Sequence, residues 1–113
     1  MAKIINIPSA FVYESKVAGV SKDNADGTSR QTIIQKEVNE EDDLYLELDS
    51  ENKFDPNAIK VLSKHKSQIG FLKSELAEQV KPALINGTEI HCIALWVNGK
   101  EVKGVGIRIE LVS

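Results

Sequence analysis

Cysteine is nearly missing from this chain: Cys92 is the single one among 113 residues. A lone cysteine forms no intrachain disulfide, a composition that suits a reducing cytosol and makes a cytoplasmic location the expectation. Histidine is scarce too, and one cysteine with the separated His65 and His91 falls short of the three or four ligands a zinc site needs. Nucleophilic chemistry is not expected, because His65 lies in a polar turn and His91 directly precedes Cys92 on a strand, where neighbours point to opposite faces. No GxxxxGKS/T phosphate loop is present. Long apolar runs are lacking as well: the opening stretch MAKIINIPSAFVYESK is interrupted by Pro8 and Ser9, so neither a signal peptide nor a membrane span is expected. The chain is expected to be a non-enzyme without metal or cofactor.

Positive charge is also in short supply. The formal net charge of −3 is the wrong sign for a protein that coats nucleic acid through phosphate neutralisation alone. Its distribution is uneven. Between Glu37 and Asp55 stand nine acids and one base, Lys53, so that stretch carries −8 and the remainder carries +5. A chain so divided can offer a basic face to phosphates while the acidic stretch looks elsewhere. Glu40 to Asp43 reads as a solvated loop.

What is present fits one domain, since 113 residues of which 42% are hydrophobic suffice for one core of ordinary size. Residues 1–14 show no sustained period and read as an N-terminal arm or tail, leaving 15–113 as a single barrel-like domain. Lys16 to Ser21 reads as a first strand, and Asp23 to Ser29, DNADGTS, as a loop. Arg30 to Val38 carries Thr32, Ile33 and Ile34, which favour a strand. Leu44, Leu46 and Leu48 alternate with Tyr45 and Glu47, placing three leucines on one face of the next strand.

Ala58 to Leu62 and Gln68 to Leu72 flank the polar turn SKHKS and predict a hairpin. Ser74 then suits a helix N-cap, and Leu76, Val80 and Leu84 build an apolar stripe that Asn86-Gly87 should end. Pro82 lies inside this helix and is expected to kink or divide it. Glu89 to Val97 and Val102 to Val112 are two longer strands around Asn98-Gly99, a dipeptide suited to a type I′ turn. Gly104 and Gly106 within the last strand suggest a bulge or a close backbone approach, and Trp96 reads as core or barrel lid. The sum is a mainly β fold: six or seven strands in a small, partly open antiparallel barrel with one helical segment between late strands.

Two segments carry the most information. Asn52 to Val61 reads NKFDPNAIKV, and Gln68 to Ala77 reads QIGFLKSELA. An Asp-Pro-Asn-Ala-Ile entry into one strand, a short turn, and an Ile-Gly-Phe-Leu strand feeding a Ser-Glu-Leu-Ala helix resemble the HIRAN domain, in a stand-alone bacterial or phage-type form. The resemblance runs from about Lys16 to Val112 and implies a compact barrel related to the oligonucleotide-binding folds. It also implies a DNA-binding module in the setting of DNA repair, with single-stranded DNA or DNA 3′ ends as partner and a helicase or nuclease as company. No membrane partner is expected.

Read from its residues alone, the Phe54-Asp55 pair leaves two meanings open. A base can lie flat on an aromatic ring, and an ionised carboxylate beside it accepts from a sugar hydroxyl and repels a phosphate. Asp-Pro-Asn is also common turn chemistry, in which Asp55 caps its own loop and Phe54 packs on the barrel. The family resemblance implies the first meaning, an aromatic-Asp pair with a nearby asparagine holding the last nucleotide, which maps onto Phe54, Asp55 and Asn52. Elsewhere the chain departs from the eukaryotic pattern. A basic residue followed by an aromatic at the end of the first strand is here Ser21-Lys22, and the histidine after the strand glycine is here Phe71. A lysine at the helix start is replaced by Ser74, with Lys73 adjacent. The Gly27 to Gln31 run is closer to short bacterial members, and makes Arg30 a candidate for a phosphate or base contact. The competing expectation is a protein-interaction or regulatory β-barrel that uses its acidic stretch or a strand edge to meet a partner.

Overall fold

The computed structural model describes residues 10–112. Along the chain come β1 (Ala10–Lys16), α1 (Arg30–Glu37), β2 (Asp43–Leu48), β3 (Ile59–Leu62), β4 (Gln68–Phe71), α2 (Ser74–Ile85), β5 (Glu89–Asn98) and β6 (Gly104–Val112). The strands form one sheet in the order β1-β6-β5-β2-β3-β4, every pair antiparallel. The sheet curls until its two ends touch. Just past β1, the Ala18 N–H donates to the Phe71 carbonyl at 2.8 Å, and the Phe71 N–H returns a bond to the Ala18 carbonyl at 2.9 Å. Gly70 permits that approach, because a Cβ there would stand 2.4 Å from the Ala18 carbonyl oxygen and 2.5 Å from Val17 Cγ1. The mainly β, partly open antiparallel barrel expected from the sequence is therefore observed.

Alternation along the strands fills the interior. Leu44 is buried and Leu46 and Leu48 pack against the core, while Tyr45 and Glu47 face solvent on the other side of β2. Ile59 and Val61 of β3, Ile69 of β4 and Val105, Ile107 and Ile109 of β6 are wholly enclosed. Ala77 and Val80 of α2 close the core with no exposed surface. α2 ends where Asn86-Gly87 predicts, since Gly87 takes φ +72° and lets the N–H groups of Gly87 and Thr88 turn back to the carbonyls of Leu84 and Ala83.

Several expectations are corrected. Arg30–Glu37 is a helix, not a strand: the Ser29 hydroxyl accepts from the Thr32 N–H at 3.2 Å, and Arg30 and Ile34, one turn apart, are both buried. The β-branched run was a weak local preference, overruled by a cap and by burial on one face. The first strand is Ala10–Lys16 rather than Lys16 to Ser21, so part of the expected arm, residues 10–14, is ladder paired with β6. The rest of that arm lies outside the described residues.

Pro82 does not divide α2, which runs unbroken over Ser74–Ile85. Both Pro82 and Glu78, whose carbonyl loses its donor, sit on the exposed side, where water can serve instead. The cap position falls on Lys73, and Ser74 is the first helical residue. Asn98-Gly99 does not form a type I′ turn either. Asn98 pairs with Gly104 in the ladder, and residues 99–103 form the loop. That loop is clamped to α1, because Gln31 donates to the Lys103 carbonyl at 2.9 Å and accepts from the Lys103 N–H at 2.7 Å.

Candidate nucleic-acid interface

The loop between β2 and β3 builds itself around one asparagine. Asn52 Oδ1 accepts from the N–H groups of Phe54 at 2.9 Å and Asp55 at 2.8 Å, while its Nδ2 donates to Asp49 at 3.3 Å. Asp55 Oδ1 accepts from the Asn57 N–H at 2.8 Å, and the Asp55 carbonyl accepts from the Ala58 N–H at 3.2 Å. Pro56 sits between these bonds with a preset φ. With the backbone of residues 52–58 so committed, the Phe54 side chain is turned outward and is 97% exposed. Burying such a ring is worth roughly 1.5–3 kcal/mol, so a fixed turn that leaves it in water forgoes that gain.

Asp55 is half-buried, and its Oδ2 makes no protein hydrogen bond among the described residues. The carboxylate is thus held by one oxygen and, among the described residues, unpaired at the other. Asn52, expected to touch a nucleotide, spends its side chain on the loop instead. Its role here is to aim the pair that follows it.

Of the other candidates, Phe71 and Lys73 follow the exit of β4, beside the strand that this loop enters. Leu72 N–H donates to the Ile59 carbonyl, which joins the exit of β4 to the entry of β3 directly after the Phe54 loop. Phe71 is half-buried, with the Arg30 guanidinium carbon 5.2 Å from its ring centroid. Lys73 is exposed at the cap of α2, and Lys22 is exposed on the turn that follows Ala18. Arg30 is not the open phosphate hook that the sequence suggested. It is 6% exposed, its Nε donates to Asn24 at 2.7 Å and its Nη1 to the Gly19 carbonyl at 2.8 Å. Burial draws its pKa down and Asp23 opposes the shift, yet a guanidinium so placed keeps its charge at neutral pH. It braces the 19–24 turn and backs the Phe71 ring.

Trp96, expected in the core or as a barrel lid, is half-buried on the outer side of the sheet. Ala94 pairs with Ile107 but Trp96 pairs with the adjacent Gly106, so a bulge in β5 turns Trp96 to the side opposite Ala94. Its indole lies on Gly106, where a Cβ would come within 2.2 Å of the ring. Lys16, paired with Gly106 from the other side, places Nζ 6.0 Å from the indole centroid. Two residues beyond Lys16 is Ala18, the partner of Phe71, whose other neighbour is Lys60. Trp96 with Lys16 and Phe71 with Lys60 are thus two ring-and-cation pairs, joined through Ala18. The glycine pair signalled a bulge or a close approach in the last strand: the close approach is at Gly106, and the bulge lies opposite it in β5.

Two other places are less suited to phosphate. A cleft of about 570 Å³ between α1, β3 and the 24–28 loop is lined by Asp26, Glu37 and Glu47 against Lys60 and Lys66, a net negative wall. Cys92 is buried in the core, and burial pushes its thiol up to about 12, so it stays protonated. Among the described residues no group of three His, Cys, Asp or Glu could hold a metal ion, and no helix is long and apolar enough to cross a membrane.

Comparison with solved structures finds the crystal structure of the HIRAN domain of human HLTF, with a TM-score of 0.70 and 20% identity over 93% of this chain and 80% of that one. An NMR structure of the HLTF HIRAN domain gives 0.62 and 21%, over 94% and 82% of the two chains. A crystal structure of a Lactobacillus plantarum protein gives 0.67 and 15%, over 89% and 96%. At these identities the likeness is one of fold. A search among curated proteins finds no match. The family comparison, however, matches the HIRAN domain over residues 12–110, nearly the whole chain, and the chain belongs to the HIRAN domain family.

Proposed function

We propose that this HIRAN domain binds single-stranded DNA at a free 3′-hydroxyl end and performs no chemistry of its own. HIRAN domains are DNA-binding modules, and the finer reading rests on the Phe54-Asp55 pair. The observation that carries it is the fully exposed Phe54 ring on a turn whose backbone is already satisfied, beside a carboxylate with one free oxygen. The terminal base stacks on Phe54, and the terminal hydroxyl donates to Asp55 Oδ2. A strand continuing through the pocket, or one ending in phosphate, brings negative oxygens against that carboxylate. Two unit charges about 4 Å apart repel by about 1–4 kcal/mol across the range from water to a protein surface. Phe71, backed by Arg30, and Trp96, beneath Lys16, offer further stacking surfaces, with Lys22, Lys73 and Lys16 as the phosphate contacts.

Fluorescence anisotropy with matched oligonucleotides ending in a 3′-hydroxyl or a 3′-phosphate tests this reading. Preference for the hydroxyl supports it, and equal binding removes the role given to Asp55. The exposed acids Glu40, Glu41, Asp43 and Glu47 favour the alternative, a surface for a basic protein partner. Salt separates the two readings. Phosphate contacts require affinity for DNA to fall steeply with ionic strength, whereas a protein-binding barrel holds DNA weakly even at low salt.

A further inference from the structure

Lys81 lies in the third turn of α2, 24 residues beyond the Asp-Pro-Asn turn, and reaches it across the surface. Its Nζ donates to the Pro56 carbonyl at 2.9 Å and to Asn57 Oδ1 at 3.2 Å. Both acceptors belong to the part of the loop that orients the candidate carboxylate. The backbone N–H of the same Asn57 donates to Asp55 Oδ1 at 2.8 Å. An unbroken chain of contacts thus runs from α2 through Lys81 and Asn57 to Asp55, ending on Oδ1, the oxygen that is already hydrogen-bonded.

Among the described residues, the turn without Lys81 keeps the hydrogen bonds made by Asn52, Asp49, Asp55 and its own backbone, all on the β2 side or within the loop. Lys81 ties the β3 side of the loop to a segment outside it, and α2 itself is fixed to the core by Ala77 and Val80. A lysine Nζ has three N–H donors and no acceptor, so it fits two oxygen acceptors that have no other partner among the described residues. The loop around it holds Asp49, Glu51 and Asp55 against Lys53, so an ammonium also offsets negative charge where a DNA end must approach.

We infer that Lys81 is a positioning residue for end recognition: it locks the Asp-Pro-Asn turn to α2 and so fixes which oxygen of Asp55 meets the terminal sugar. The inference rests on the reading of the Phe54-Asp55 pair given above. It does not place Lys81 in contact with DNA.

The test compares wild type, Lys81→Met and Lys81→Arg by two measurements. Methionine keeps an unbranched stem without donors, and arginine keeps charge and donors. Amide hydrogen exchange at Asn57 and Ala58 reads the clamp without DNA. Anisotropy with matched 3′-hydroxyl and 3′-phosphate oligonucleotides reads recognition. We expect Lys81→Met to exchange faster at those amides and to lower the hydroxyl-to-phosphate affinity ratio by about five- to tenfold, the size of a partly exposed charged hydrogen bond. Thermal stability should barely move, and Lys81→Arg should restore both readouts. A wild type that prefers the hydroxyl end and a Lys81→Met variant with the same ratio would overturn the inference while leaving the reading of the pair standing. A wild type with no preference overturns both. Faster exchange with an unchanged ratio counts against positioning.

Discussion

Phe54→Ala is the perturbation in which stability and binding part most cleanly. The ring is 97% exposed, and the bonds that shape its turn come from Asn52, Asp55 and the backbone. Truncating an exposed side chain that packs on nothing should change folding free energy by no more than about 0.5 kcal/mol. Binding is another matter. A base stacked on an aromatic side chain is worth about 1–3 kcal/mol by alanine substitution, so the affinity for a short oligonucleotide should fall by roughly 5- to 150-fold. Urea denaturation supplies the first number and anisotropy titration at fixed low salt the second. Phe54→Leu, which keeps apolar area but no flat π face, should lose most of the same affinity. A folded Phe54→Ala protein with wild-type affinity would refute the stacking argument, and a loss of several kcal/mol in stability would refute the account of the loop.

The remaining predictions concern the barrel. Gly70→Ala drives a Cβ into the Ala18 carbonyl, so it should break the two-bond closure and cost about 2–4 kcal/mol, with a fall in Tm of roughly 10–25 °C. A variant within 1 °C of wild type would show that the closure contributes nothing. Cys92 gives a pH signature. Its ordinary value is 9.0 and burial pushes the folded thiol up to about 12, so the unfolded chain releases this proton first. The stability it contributes is fully present below about 9 and is lost as pH rises towards 12. Denaturation at pH 8 and pH 10.5 should therefore show a steeper decline in wild type than in Cys92→Ala, and parallel declines would contradict the assignment.

Much of this architecture is legible in the residues, and the exceptions share a cause. Leu44, Leu46 and Leu48 declare their strand, the SKHKS turn declares the β3-β4 hairpin, and Asn86-Gly87 ends α2, because each signal is local. Arg30–Glu37 departs from the strand its residues suggest because Thr32, Ile33 and Ile34 favour a strand only when nothing else acts, and here the Ser29 cap and the burial of Arg30 and Ile34 act. The Asn98-Gly99 pair does not form the expected tight turn because Gln31, more than sixty residues earlier, clamps Lys103 ahead of β6. The site divides in the same way. Phe54 and Asp55 are visible because motif and turn chemistry sit in adjacent residues. The burial of Arg30, the outward turn of Trp96 and the reach of Lys81 depend on contacts between segments far apart in sequence.

Asp55→Asn alters the proposed hydroxyl acceptor by one charge and almost no shape, and it retains an oxygen for the Asn57 N–H. The decisive measurement is the ratio of affinities for 3′-hydroxyl and 3′-phosphate oligonucleotides in wild type and in Asp55→Asn. Wild type should favour the hydroxyl end by at least about fivefold, the lower end of a repulsion of about 1–4 kcal/mol, and the variant should bring the ratio close to one by gaining affinity for the phosphate end. An unchanged ratio in the variant would mean that some other group reads the end of the strand.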